Sequence, residues 1–295
     1  MNVLLLGAIG MLGTDMAVEL GTRGHSVVAP SLEDFDLTNP ESSARIATGE
    51  LGKFDWCVNC AAYTLVDKAE SEQQLAYEVN ALGPSYLAKA CAMSGVKLLH
   101  VSTDFVFDGD GREPYKEDDK TNPLGAYGRT KWEGEQAVLA GHPQAVIART
   151  AWLYGPNGNS FPKTMIRAFD AGKTLRVVGD QIGCPTYTGD LARVLCDLME
   201  KNAFPGIYHT TGPDAMSWHQ FAMMTLEEWA KVKEREAPAM IESIRTEDWP
   251  TPTKRPAYSV LSFEKVAALG IEPMRPCRDA VHEFCERYLA LENAS

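Results

Sequence analysis

Residues 2–20 read NVLLLGAIGMLGTDMAVEL. The first five form a short apolar run closed by a glycine, which reads as a buried strand. Gly7, Gly10 and Gly13 follow at three-residue intervals, and residues 11–23 read as a helix. Strand, glycine turn and helix in that order open a phosphate-binding βα unit. Gly7 allows a tight turn out of the strand. Gly10 lets backbone approach a pyrophosphate with no Cβ in the way, and Gly13 lets the helix pack closely on the strand. The helix N-terminus adds unpaired N–H groups and the positive end of its dipole.

The alternation continues outward from this unit. HSVVAP (25–30), DWCVNCA (55–61), VKLLHVS (96–102) and QAVIART (144–150) read as further strands. Helices are predicted near 41–48, 72–94 and 126–140. Short apolar strands separated by helices imply a parallel sheet covered on both faces, and right-handed crossovers make it doubly wound. The fold class is therefore α/β, a Rossmann-like doubly wound parallel sheet with a smaller C-terminal substrate-binding lobe. Residues 1–150 form the expected NAD(P)-binding domain, with elements returning to it near 172–202, and residues 151–295 mainly form the lobe. Prolines cut that lobe into short pieces, with helices near 161–171, 189–201, 217–232, 262–268 and 278–291. The charged, proline-rich stretch 233–255 reads as a surface connection.

With 45% apolar and 23% charged residues, disorder and coiled coil are excluded. The net charge of −12 speaks against a uniformly basic nucleic-acid face. MNVLLLG has no basic stretch before its apolar run, and no segment reaches the length of a membrane helix. Seven scattered cysteines make no disulfide framework and fit a reducing cytoplasm. Cys57 and Cys60 form C-x-x-C, but on a strand, where residues three apart face opposite ways.

Chemistry enters with Tyr127-Gly-Arg-Thr-Lys131, a Y-x-x-x-K on the helix predicted at 126–140. Residues i and i+4 share a helical face, so Lys131 is expected to lower the Tyr127 pKa by favouring phenolate. A phenol tuned in this way can protonate a developing alkoxide, and Lys131 can hold a nicotinamide ribose. Ser102, Thr103 and Asp104 end the fourth strand at the sheet's ligand-binding edge. There Thr103 can donate to a substrate carbonyl, and Asp104 can tune or relay protons. The second strand ends in Pro30-Ser31-Leu32, with neither an acid for a ribose hydroxyl nor an arginine for a 2′-phosphate. The choice between NADH and NADPH stays open here.

Six blocks together resemble the dTDP-4-dehydrorhamnose reductase family, in the extended branch of the short-chain dehydrogenase/reductases. They are GAIGMLG (7–13), NCAAYTLVDKAE (59–70), STDFVFDG (102–109) with YGRTKWEGE (127–135), RTAWLYG (149–155), DQIGCPTYTGDLA (180–192) and RPAYSVL (255–261). The resemblance implies reduction of a 4-keto sugar nucleotide by NADH or NADPH. It puts Met11 and Leu12 at the pyrophosphate, and Ala61, Ala62, Tyr63 and Ser102 along the cofactor. Asp36 and Leu37 resemble an adenine-contacting pair and equally suit a helix cap. Thr103, Tyr127 and Lys131 become catalytic with Asp104, while Asp104 and Trp152 touch the sugar nucleotide. Arg255 and Lys254 suit its diphosphate. Phe105 replaces a tyrosine usual in the family. Some members bind Mg²⁺ at a dimer interface, with Asp15 and Asp190 as counterparts; the residues themselves give no reason to expect a metal. A homodimer is compatible. Two other readings stay open: a different extended-branch reductase or epimerase, and a non-catalytic regulatory subunit like that of methionine adenosyltransferase.

Overall fold

A computed structural model describes residues 1–238 and 241–294. Residues 239 and 240, inside the connection expected at 233–255, lie outside the described residues. Strand β1 (Asn2–Leu6) leads through the glycine turn into α1 (Met11–Thr22). Next come β2 (Ser26–Val28) and α2 (Pro40–Ala47), the latter started by the Asn39 side chain, which accepts from the Glu41 N–H, and by a proline in the first turn. After β3 (Trp56–Asn59), one long helix is built from α3 (Gln73–Tyr77), a π turn at Glu78–Leu82 and α4 (Gly83–Ser94). It ends at Gly95, whose φ of 71° makes a left-handed cap. Then follow β4 (Lys97–Thr103), α5 (Ala126–Gly141) and β5 (Val146–Thr150).

The remaining elements are β6 (Leu153–Tyr154), α6 (Phe161–Asp170), β7 (Arg176–Val178), β8 (Ile182–Gly183), β9 (Thr186–Tyr187), α7 (Thr188–Glu200), β10 (Gly206–His209), β11 (Met216–Ser217), α8 (Trp218–Val232), β12 (Glu242–Ile244), α9 (Glu264–Ala267) and α10 (Cys277–Ala294).

Six strands form one sheet in the order β10-β5-β4-β3-β1-β2, every pair parallel. From β1 the chain goes to β2 on one side, then crosses to β3 on the other. The order therefore reverses between β1 and β3, and the crevice at such a switch point is where ligands bind. The β1 leucines alternate between two cores. Leu5 packs with Met16, Leu20 and α7 residues such as Leu195, and Leu4 and Leu6 pack with Leu87, Cys91 and Val138. A third core around Ile166, Phe221, Trp229 and Phe284 holds the lobe together. Its short strands pair locally, β7 with β12, β8 with β11 and β6 with β9.

The chain returns to the sheet through 188–209, later than the 172–202 expected. Helix α7 covers α1 and β10 completes the sheet beside β5, whereas β7 belongs to the lobe. Cys57 and Cys60 point into different cores, and all seven cysteines are free. Among the described residues, no helix is long and apolar enough to cross a membrane.

Candidate active site

A cleft of about 470 Å³ opens at the C-terminal edge of the sheet. One wall is the glycine turn, Gly10–Gly13. The floor is Ser102–Phe105 with Tyr127 and Lys131. The lobe closes it with Trp152, Phe161, Gln181, Trp218 and Arg255.

The turn is shaped by close backbone approaches. Gly7 sits at φ 76°, and a Cβ there would lie 2.7 Å from the Ala61 nitrogen. A Cβ on Gly13 would lie 2.0 Å from the Gly7 carbonyl oxygen, so only glycine lets α1 pack against β1 here. Gly10 caps α1 with no side-chain hydrogen bond, and its first turn has no acidic residue. Its free N–H groups thus face the cleft without competition for an anion. The Ser102, Thr150 and Ser160 hydroxyls also line the cleft, buried and without a hydrogen-bond partner. Buried polar groups ordinarily have partners. An uncapped helix end and orphaned hydroxyls in one cleft fit a pyrophosphate-bearing dinucleotide.

Tyr127 lies in the first turn of α5, a helix secured at its start by the Ala126 N–H donating to Glu70 at 2.8 Å. Its ring meets Phe105 edge-on, centroids 5.4 Å apart. One turn later, the buried Lys131 ammonium donates to the Val101 carbonyl at 2.6 Å. Thr103 Oγ1 donates to Asp104 Oδ1 at 3.0 Å. Burial pushes the Asp104 carboxyl up to about 6, with the Ser259 and Thr103 hydroxyls holding it back.

The expected lowering of the Tyr127 pKa by Lys131 is not what the structure has. Burial pushes the phenol up to about 12, the Thr103 hydroxyl moderates that rise, and the Asp104 charge adds to it. The same burial brings Lys131 down to about 8, opposed by Glu135 and Cys60. Desolvation is the largest cause for both groups because both are sunk at the cleft floor. Behind them, Arg149 binds both Glu135 oxygens at 2.8 and 2.7 Å, a fully buried pair.

The other expected residues divide. Met11, Leu12, Ala62, Trp152 and Arg255 line the cleft. Trp152 takes a left-handed φ of 46° and stacks flat on Trp218, centroids 3.5 Å apart. Arg255 pairs with Asp67 at 2.8 Å, while Lys254 is exposed off the cleft. Ala61 supports the glycine turn rather than lining the cleft. Tyr63 donates its hydroxyl to Glu72 at 2.5 Å, and its backbone is clamped by the Asn80 side chain. Asp36 caps the turn at Thr38, accepting at 2.9 and 2.8 Å, and Leu37 is core, so neither lines the cleft. Asp15 is taken by Arg287 and Thr188, and Asp190 by Arg275. Among the described residues, no cluster of potential metal ligands occurs.

Sequence reasoning passed over Asn80, Trp218 and the Asn159–Ser160 pair. Asn80 lies in the π turn, and its amide also donates to Thr130 in α5 at 3.2 Å. Nothing in the sequence flags that turn. Trp218 reads as one more apolar residue on an amphipathic helix.

A family profile described as RmlD substrate binding domain matches residues 1–290. The chain is 41% identical over 285 residues to a dTDP-4-dehydrorhamnose reductase of Mycolicibacterium smegmatis, covering 96% of this chain and 84% of that one. It is 40% identical over 294 residues to a probable dTDP-4,6-dihydroxy-2-methyloxan-3-one 4-ketoreductase of Streptomyces antibioticus, covering 99% and 97%. Among solved structures, a dTDP-4-dehydrorhamnose reductase of Bacillus anthracis in complex with NADP superposes with a TM-score of 0.88 at 33% identity, covering 96% and 98%.

Proposed function

The chain belongs to the RmlD substrate binding domain family, and on that premise we propose that it is an NAD(P)H-dependent sugar-nucleotide oxidoreductase. It reduces the 4-keto group of dTDP-4-dehydro-L-rhamnose to give dTDP-L-rhamnose. The observation that carries this reading is the convergence of Thr103, Tyr127 and Lys131 in a cleft that also presents the uncapped start of α1. The names of the relatives support it.

In this reading residues 1–150, with α7 and β10, hold the dinucleotide, and the remainder of 151–295 holds the sugar nucleotide. Gly7, Gly10, Met11, Leu12 and Gly13 form the pyrophosphate turn. Ala61, Ala62, Tyr63 and Ser102 shape the path along the dinucleotide, and Asp36 and Leu37 set the loop at its adenosine end. A nicotinamide cofactor held by these residues would supply the hydride for C4. Thr103 donates to the ketone oxygen, and Tyr127, neutral across the physiological range, delivers the proton that completes the alcohol. Lys131 keeps a positive charge beside the ribose and fixes the helix that carries Tyr127. Asp104, Trp152 and Arg255 hold the sugar nucleotide. Holding these groups in one geometry supplies much of the rate.

One observation favours a second sugar. Phe105 brings no hydroxyl to the cleft, and a relative named for a different 4-keto sugar is about as similar as the first. The test is NAD(P)H oxidation, followed by absorbance, against a panel of 4-keto sugar nucleotides. Stoichiometric oxidation with the highest kcat/KM for dTDP-4-dehydro-L-rhamnose is expected. Catalysis without net NAD(P)H consumption would mark an epimerase instead, and no turnover of any member would leave the regulatory reading. A cytoplasmic location, consistent with seven free cysteines, and a homodimer complete the proposal. Light scattering at working concentration tests the dimer.

A further inference from the structure

Trp152 is held in a conformation it would not adopt freely. Among the described residues it is the one non-glycine residue of the cleft with a positive φ, 46°. A bulky side chain in that region persists only where its surroundings over-determine it. Its indole lies face to face on that of Trp218, centroids 3.5 Å apart and planes 6° from parallel. Aromatic pairs that are free to move slide to an offset or turn edge-on. Both features call for something that pins the ring.

The pin has two parts. Gly183 in β8 meets the Nε1 edge of the indole: a Cβ there would lie 2.5 Å from Trp152 Nε1 and 2.4 Å from Cε2. Trp218 covers one face. It opens α8 directly after β11, and β11 pairs antiparallel with β8, Met216 opposite Gly183. Both parts therefore belong to one short strand pair of the lobe. The Ser217 and Gln220 side chains fix the start of α8 by hydrogen bonds of 3.1 and 2.8 Å, and Phe161 leans on Trp218 at 4.6 Å. Trp218 is not enclosed in the core. It lines the active-site cleft and also a second cavity of about 390 Å³ beside it, so the ring is a wall shared by both spaces.

Trp152 follows Thr150 by two residues, and Thr150 pairs with Thr103 across β5 and β4. The clamped indole is thereby in register with the strand end that presents Thr103. A sugar laid against it is set relative to the hydroxyl that receives the ketone.

We propose that Trp218 is a positioning residue for the sugar nucleotide, which acts by clamping Trp152, against Gly183, in the orientation that the substrate meets. The inference rests on the sugar-nucleotide reading above and deepens it by naming what sets the binding surface.

The experiment is steady-state kinetics with dTDP-4-dehydro-L-rhamnose beside calorimetric NAD(P)H titration and thermal melts. It compares the parent with Trp218→Leu, Trp152→Leu, their double variant, Trp218→Phe and Gly183→Ala. Trp218→Leu should raise the sugar-nucleotide KM about tenfold, with kcat within about threefold and NAD(P)H affinity within about twofold, as expected for lost substrate binding. The double variant should be no worse than Trp152→Leu alone, because one residue acts through the other, whereas independent contacts would multiply. Trp218→Phe, which still offers a flat ring, should recover most of the KM. Gly183→Ala, which presses on the Nε1 edge with Trp218 intact, should raise the KM as Trp218→Leu does. A KM within about twofold of the parent in folded Trp218→Leu overturns the inference. Should that variant not fold, an unchanged KM in Gly183→Ala overturns it. So does a double variant whose KM is the product of the single effects, or an NAD(P)H affinity that falls as far as the sugar nucleotide's, which marks a general loosening of the lobe. A parent that turns over no 4-keto sugar nucleotide overturns the functional reading, and this inference with it.

Discussion

The ammonium of Lys131 lies 2.6 Å from the carbonyl oxygen of Val101, tying α5 to β4 two residues before Thr103. This bond fixes the spacing between the helix that carries Tyr127 and the strand end that carries Thr103. The lysine is therefore a strut as well as a charge.

Lys131→Met should lower kcat roughly 10²- to 10⁴-fold, the range for lost acid–base function. Tyr127→Phe should do the same while leaving NAD(P)H affinity within about twofold, because the phenol oxygen is the proton donor rather than the dinucleotide's anchor. Steady-state kinetics beside calorimetric NAD(P)H titration checks both. A Phe variant that keeps near-normal turnover removes Tyr127 from the chemistry.

The pH profile should separate the two groups. Burial brings Lys131 down to about 8, while Tyr127 stays protonated up to about 12. Raising the pH through about 8 removes the ammonium, so kcat/KM should fall there, and the phenol contributes nothing to that limb. In Lys131→Arg the residual activity should show no fall below pH 10, since guanidinium does not titrate in this range. A limb that persists unchanged in the arginine variant assigns it to another group.

How far the chain could be read from its sequence follows from what each signal depends on. The NVLLLGAIGMLG stretch depends on local geometry alone. The glycine positions, the strand and the helix start are all as read, and so is the Tyr127–Lys131 face. The direction of the Tyr127 shift was not legible, because it depends on how deeply α5 seats against β4. The Asn80 clamp was not legible either, since a π turn has no residue signature and its partners, Tyr63 and Thr130, are remote in sequence. The late return of the chain at β10 was hidden because β7, with its apolar pair Val177 and Val178, reads equally well as a sheet strand.

Two glycines of one helix should respond oppositely to alanine. At Gly13 the added Cβ would lie 2.0 Å from the Gly7 oxygen, backbone that cannot step aside without opening the turn. Gly13→Ala should destabilise by about 1–3 kcal/mol or more and weaken NAD(P)H binding in step. At Gly21 nothing lies within 4 Å. Gly21→Ala should stabilise by about 0.5–1 kcal/mol with NAD(P)H binding unchanged. Thermal melts and titrations on the pair are the measurement.

Glu135 and Arg149 should be worth far more as a broken pair than as a pair. Both are fully buried and joined by two hydrogen bonds. Glu135→Gln leaves a guanidinium without its counter-charge and should destabilise by roughly 3–5 kcal/mol, whereas replacing both by apolar residues of similar volume should come close to neutral. Urea unfolding of the single and double variants tests this. A double variant as unstable as the single would show that the pair itself holds the sheet to α5.

Asp104 should trade stability for function in a pH-dependent way. Its carboxyl is raised from 3.8 to about 6, with burial the largest cause. A carboxyl whose folded value lies above its unfolded one favours the fold most below about 4, where both states are protonated. That contribution is lost as the pH rises through about 6, because the folded state must then hold an ionised group in a dry site. A shift of about two units corresponds to roughly 2–3 kcal/mol at most. Asp104→Asn, which cannot ionise, should therefore match the parent's stability near pH 4 and exceed it by up to that amount at pH 8. Its turnover should fall. Denaturant unfolding of both chains at pH 4, 6 and 8 decides the matter. A stability difference that stays constant across the three would show that the folded state ionises Asp104 as readily as the unfolded chain does, so that its site imposes no penalty on the carboxylate.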